Sequence, residues 1–113
     1  MAELSTLARP YARAAFEYAS EAGDLQGWSN SLGTASSVAK QPSVVHLLNS
    51  PNSTAAEQAE ALMEICGESL SGAGRNFICI LSENRRLKLL PQIAQQFEIM
   101  KANQEKAIEV DVA

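Results

Sequence analysis

Apolar residues recur at three- and four-residue spacing along most of the chain, and that pattern predicts six helices. The first runs from Leu4 to Ala22 and is the most apolar for its length. On a helical wheel at about 100° per residue, its apolar positions fill an arc of roughly 200°. Arg9, Arg13, Glu17, Ser20 and Glu21 take the remainder. A helix that seals a single core needs about half such an arc. The excess comes from Leu7, Tyr11, Ala14 and Tyr18. Two arrangements accommodate it. Either the domain buries this helix on two sides, or one face meets the core and the other meets a partner. The expected division puts Ala12, Phe16 and Ala19 toward the core and the excess residues toward a groove, although periodicity alone does not fix which face is inward.

The breaks between helices have local causes. Ser5 or Thr6 is placed to cap the first helix. Pro10 favours a kink or a late start near Leu7, because it lacks a backbone donor. Gly23 ends the element and Asp24 is placed to cap the next. The second helix, Leu25 to Lys40, turns Leu25, Trp28, Leu32, Ala35, Val38 and Ala39 to one side. Its many Ser and Gly residues leave it dependent on packing. Trp28, the only tryptophan, is expected as a core anchor between the first two helices or beside a binding surface.

After Gln41-Pro42, Ser43 to Leu48 predicts a short third helix, and Asn49 to Ser53 a turn. Thr54 and Glu57 have capping-box spacing and open a fourth helix, Ala55 to Cys66, with Ala59, Leu62, Met63 and Cys66 inward. Ser71 to Gly74 is expected to be a flexible lead into a fifth helix, Arg75 to Asn84. Its centre, Phe77 to Leu81, is apolar at every position, which predicts a helix without a wide solvent face. Asn76, Cys79, Ile80 and Glu83 share one side of it. A sixth helix starts between Leu87 and Leu90 and runs to about Lys106. Its inward stripe is Leu90, Ile93, Ala94, Phe97 and Met100. Glu109 to Ala113 alternates like the start of a strand. The expected architecture is an all-α, compact six-helix bundle over residues 1–106.

Composition narrows the function. With 113 residues the chain can bury one sizeable core. Aromatics are only 5%, which favours helices over a sandwich or barrel. The net charge of −4 argues against nucleic-acid binding, which wants a basic face. No stretch reaches the ~20 apolar residues of a membrane span, so direct membrane insertion is not expected. Arg9, Arg13 and Glu17 interrupt the first helix too often for a secretory signal. Cys66 and Cys79 have neither disulfide-framework nor zinc spacing and read as buried reduced thiols.

Sequence motifs for chemistry are weak. Gly72-x-Gly74 lacks the third glycine of a dinucleotide loop and the Lys-Ser/Thr of a phosphate loop. His46, the only histidine, has no neighbouring ligand pattern. Arg85, Arg86 and Lys88 form a small basic turn that reads as solvated. No catalytic residue, metal site or cofactor is expected.

Two stretches carry a family resemblance. Ala8-Arg9-Pro10-Tyr11-Ala12-Arg13-Ala14-Ala15-Phe16 resembles the start of subunit delta of the F-type ATP synthase, whose mitochondrial relative is the oligomycin-sensitivity-conferring protein. Gly74-Arg75-Asn76-Phe77 through Glu83-Asn84-Arg85-Arg86-Leu87, with Leu90-Pro91, resembles a second block of that family. Trp28 and Cys66-Gly67-Glu68 are similar to enterobacterial-type members. The resemblance implies a non-catalytic six-helix domain of the stator, or peripheral stalk, on top of the catalytic head. It implies capture of the amphipathic N-terminal helix of an alpha subunit by helices one and five. A C-terminal domain would meet the b subunits, and residues 107–113 would begin the linker to it. The implied location is the cytoplasmic face of the bacterial inner membrane, peripheral and within the complex. The groove residues expected on this basis and on the wheel are Leu7, Tyr11, Ala14, Tyr18, Asn76, Cys79, Ile80 and Glu83, with Trp28 near them. Competing readings are a generic helical interaction or self-association module, and a small enzyme using a polar pocket on the bundle.

Overall fold

Pro10 lies inside the first helix, α1, which runs unbroken from Glu3 to Ala22 in the computed structural model. The structure describes the backbone of residues 3–112 and the side-chain environments of residues 4–105. α1 therefore starts before Ser5, and neither Ser5 nor Thr6 begins it. Pro10 leaves the Thr6 carbonyl without its usual helical donor. In that same turn, Gln96 of the last helix donates to the Ser5 carbonyl at 2.8 Å, so a neighbouring element supports the backbone there.

The remaining helices are α2 (Leu25–Ala39), α3 (Pro42–Leu48), α4 (Ala55–Cys66), α5 (Gly72–Glu83) and α6 (Leu90–Val112). Short 3-10 turns at Gly67–Ser69 and Leu87–Leu89 precede α5 and α6. The described residues form an all-α bundle with no strand. α6 is the central element. α1 and α2 pack along it, while α4 pairs with α5 and meets α2.

Small residues make the α1 packing close. Ala8, Ala12, Ala15 and Ala19 recur at four- and three-residue steps and are all buried. Phe16 is half-buried rather than central, and its ring meets Phe97 edge-on at 5.8 Å. Phe97, Ile93, Leu90, Leu89, Leu87, Leu62, Ile78 and Leu81 fill the core. Burying each such side chain contributes roughly 1.5–3 kcal/mol. The predicted stripes of α2, α4 and α6 face inward, with Leu25, Met63 and Met100 at the half-buried margin.

Caps explain most boundaries. Thr54 and Glu57 form the expected capping box: the Glu57 N–H donates to Thr54 Oγ1 at 3.1 Å, and the Thr54 N–H donates to Glu57 Oε1 at 2.8 Å. Gly23, at φ +68°, closes α1, with the Asp24 N–H donating to the Ala19 carbonyl at 2.9 Å. Asp24 occupies the N-cap position of α2, but its side chain makes no capping hydrogen bond. Gln58, buried at the start of α4, donates to Ser53 Oγ at 2.8 Å and to the Leu47 carbonyl at 3.2 Å. That network closes the Asn49–Ser53 turn.

Three further features differ from expectation. Ser71–Gly74 is not a flexible lead: the Gly74 N–H donates to Ser71 Oγ at 3.1 Å, and α5 begins at Gly72. α5 also has a solvent face, because Arg75, Asn76 and Glu83 are exposed and Ile80 is exposed among them. The apolar run covers the wheel, yet only Phe77, Ile78 and Leu81 of it are buried. The alternation from Glu109 is helical as far as Val112, since no Gly or Pro after Pro91 stops α6. Ala113 lies outside the described residues.

Candidate functional site

α1 and α5 flank a cleft, and Trp28 of α2 forms the floor between them. The resulting cleft has a volume of about 250 Å³. Ala14, Ala15 and Tyr18 form the α1 wall, and Ala73, Asn76, Phe77 and Ile80 form the α5 wall. Helical repeat explains both walls. Ala14 and Tyr18 are one turn apart, as are Ala73 and Phe77, and Asn76 and Ile80.

Three aromatic rings span the cleft. Tyr18 and Trp28 have ring centroids 5.6 Å apart and tilted at 57°. Trp28 and Phe77 are also 5.6 Å apart, edge to face at 73°. Such contacts add about 0.5–1.5 kcal/mol beyond area burial. Trp28 and Phe77 are buried, whereas Tyr18 is 54% and Ile80 49% exposed. The floor is therefore fixed by the core, and the rim offers apolar surface to solvent. Trp28 combines both roles expected of it, core anchor and neighbour of a candidate binding surface.

No charged side chain lines the cleft, and Asn76 supplies the one side-chain amide. The alanines let a second backbone approach closely. An apolar, shallow, open-ended trough between two helices suits another helix better than a compact polar substrate.

The cleft gathers four of the eight groove residues expected from sequence: Ala14, Tyr18, Asn76 and Ile80. Leu7 and Tyr11 continue the same face of α1 toward its N-terminus. Leu7 is 39% exposed, while Tyr11 is half-buried against the core. Cys79 is half-buried and Glu83 exposed, and neither lines the cleft. Ala15, Ala73 and Phe77 line it without having been assigned to it. The signal for Ala73 was available: Ser71 as a cap, three residues before the Gly74 N–H, places Ala73 in the first turn of α5.

The cysteines stand apart from one another. Cys66 is buried and Cys79 half-buried, both as free thiols. Burial pushes the Cys66 thiol above its ordinary value, and the Arg75 guanidinium pulls it partly back. Among the described residues, no cluster of His, Cys, Asp or Glu could hold a metal ion, and no helix is long and apolar enough to cross a membrane.

Comparison with known proteins gives the chain a family. The family profile described as ATP synthase delta (OSCP) subunit matches residues 7–113. ATP synthase subunit delta of Teredinibacter turnerae is 50% identical over 112 residues, covering 99% of this chain. ATP synthase subunit delta of Cellvibrio japonicus is 46% identical over the same length and share. The chain spans 63% of the length of each of these relatives. With the two sequence blocks in α1 and α5 facing each other across the trough, and the family profile running through both, the chain belongs to the ATP synthase delta (OSCP) subunit family.

Proposed function

We propose that this domain is a non-catalytic adaptor in the peripheral stalk of the F-type ATP synthase, and that the α1–α5 trough receives the amphipathic N-terminal helix of an alpha subunit. The observation that carries the reading is the trough itself: an uncharged apolar channel with exposed Tyr18 and Ile80 on its rim and a rigid aromatic floor. A helix laid there would bury its apolar side against Ala14, Tyr18, Phe77 and Ile80. Leu7 extends the contact line along α1.

In this reading the domain works by holding. The catalytic head must not turn with the rotor, so the joint needs tight attachment rather than chemistry. Residues 107–113 lead toward a C-terminal domain that meets the b subunits. The working location is peripheral, on the cytoplasmic face of the bacterial inner membrane within the complex.

Calorimetric titration with a peptide of the alpha-subunit N-terminus tests the reading. Ala14 is exposed, so Ala14→Asp leaves the core intact. The carboxylate then sits in the apolar contact, and binding weakens by more than ~2 kcal/mol. Unchanged affinity in a folded Ala14→Asp variant would sink the assignment of the trough.

A further inference from the structure

One end of this acidic protein gathers cations around two hollows that no acid lines. Residues 25–56 and 84–97 contain no Asp or Glu, and the fold brings these stretches together where α2 ends, α3 lies and α6 begins. Two adjoining hollows open there, of about 280 Å³ and about 180 Å³. Lys40 and Lys88 line the first, with Val45, Leu48 and Pro91 as its apolar wall. Arg85 and Lys88 line the second, and the two hollows share Leu48, Asn49 and Lys88.

No carboxylate lines either hollow. The ion pairs among the described residues are Arg13 with Glu17 and Lys101 with Glu105, so Lys40, Arg85 and Lys88 have none. Lys40 has a local role as the C-cap residue of α2, where a cation complements the helix dipole. Arg85 donates to the Ser53 carbonyl at 3.1 Å. Lys88 has no such anchor and stands exposed on the shared wall. Val45 is 40% exposed beside it.

We propose that this furrow docks an acidic amphipathic segment of a partner protein. Its apolar side chains would enter against Val45, Leu48 and Pro91, and its carboxylates would meet Lys40, Lys88 and Arg85. Charge complementarity selects the sign of the partner. The concave shape selects a protein segment over a lipid surface, because a flat headgroup layer cannot reach the apolar wall inside the hollow. The furrow shares no residue with the α1–α5 trough. Along α2, Lys40 is about 18 Å from Trp28 at the helical rise per residue.

The test uses the 113-residue chain and a fluorescent synthetic helix of Glu and Leu, about 18 residues long, read by anisotropy. Saturable binding is expected at about 50 mM salt, weakening at about 300 mM as the charges are screened. Lys40→Glu with Lys88→Glu loses at least about tenfold in affinity, and Lys40→Gln with Lys88→Gln moves in the same direction by less. Circular dichroism checks that these variants keep the helical fold. Ala14→Asp leaves this affinity unchanged. The proposal is overturned by absent binding, by equal binding of a Lys/Leu helix, or by loss of binding in Ala14→Asp but not in the lysine variants. Association with phosphatidylglycerol vesicles or inorganic phosphate, but not with the acidic helix, overturns it as well.

Discussion

Arg85 is the one non-glycine residue with positive φ among the described residues, at +56°. It stands just past α5, where the Arg85 N–H donates to the Ser82 carbonyl at 2.9 Å and the Arg86 N–H donates to the Leu81 carbonyl at 2.7 Å. That is the hydrogen-bond pattern of a helix end normally closed by glycine. The left-handed backbone costs an arginine roughly 1 kcal/mol, and its bond to Ser53 repays part of that by tying the end of α5 to the turn before α4. Arg85→Ala keeps the strain and loses the bond, so it should destabilise by about 1 kcal/mol. Arg85→Gly loses the bond but relieves the strain, and should stay within about 0.5 kcal/mol of the native protein. Urea denaturation of both variants measures the difference. Equal loss in the two would mean that backbone strain contributes nothing here. The sequence gives little warning of this conformation, since the basic turn reads as a solvated loop whichever way its backbone runs.

At the scale of the element, α1 is two-faced, but its faces divide differently from the wheel alone. The core face is the alanine series Ala8, Ala12, Ala15 and Ala19. Phe16 and Tyr11 lie at its margin, and Leu7, Ala14 and Tyr18 lie outside it. Ala12 and Ala19 lie in the core as expected, whereas Phe16 sits at the margin, because close packing of α1 on α6 selects small side chains. Ala12→Leu should therefore destabilise by about 1–3 kcal/mol through overpacking. Ala14→Leu, on the exposed face, should change stability by less than about 0.5 kcal/mol. Thermal or chemical unfolding distinguishes them, and similar losses in both would refute the division of faces. α5 shows the complementary difficulty. Five successive apolar residues cannot indicate which of them faces outward. The neighbours of α5, α4 and α2, decide that by covering Phe77, Ile78 and Leu81 and leaving Ile80 at the rim.

For the whole molecule, helix number, order and most ends were legible, because caps and breakers such as Thr54, Gly23, Gly67 and Pro42 act locally. The trough was legible only in outline. Its walls follow from periodicity, but its width depends on Trp28 holding α1 and α5 apart, and that is a relation among three helices. The same holds for the furrow, whose cations come from two acid-free stretches far apart in sequence. The central claim is that the trough, rather than any other surface, receives the alpha-subunit helix. Amide and indole NMR shifts on titration with the alpha N-terminal peptide test it most directly. The expected footprint covers Ala14 to Ala19, Ala73 to Ile80 and the Trp28 indole. A footprint centred on Lys40, Val45 and Lys88, or bound peptide with no shift along α1 and α5, would contradict it.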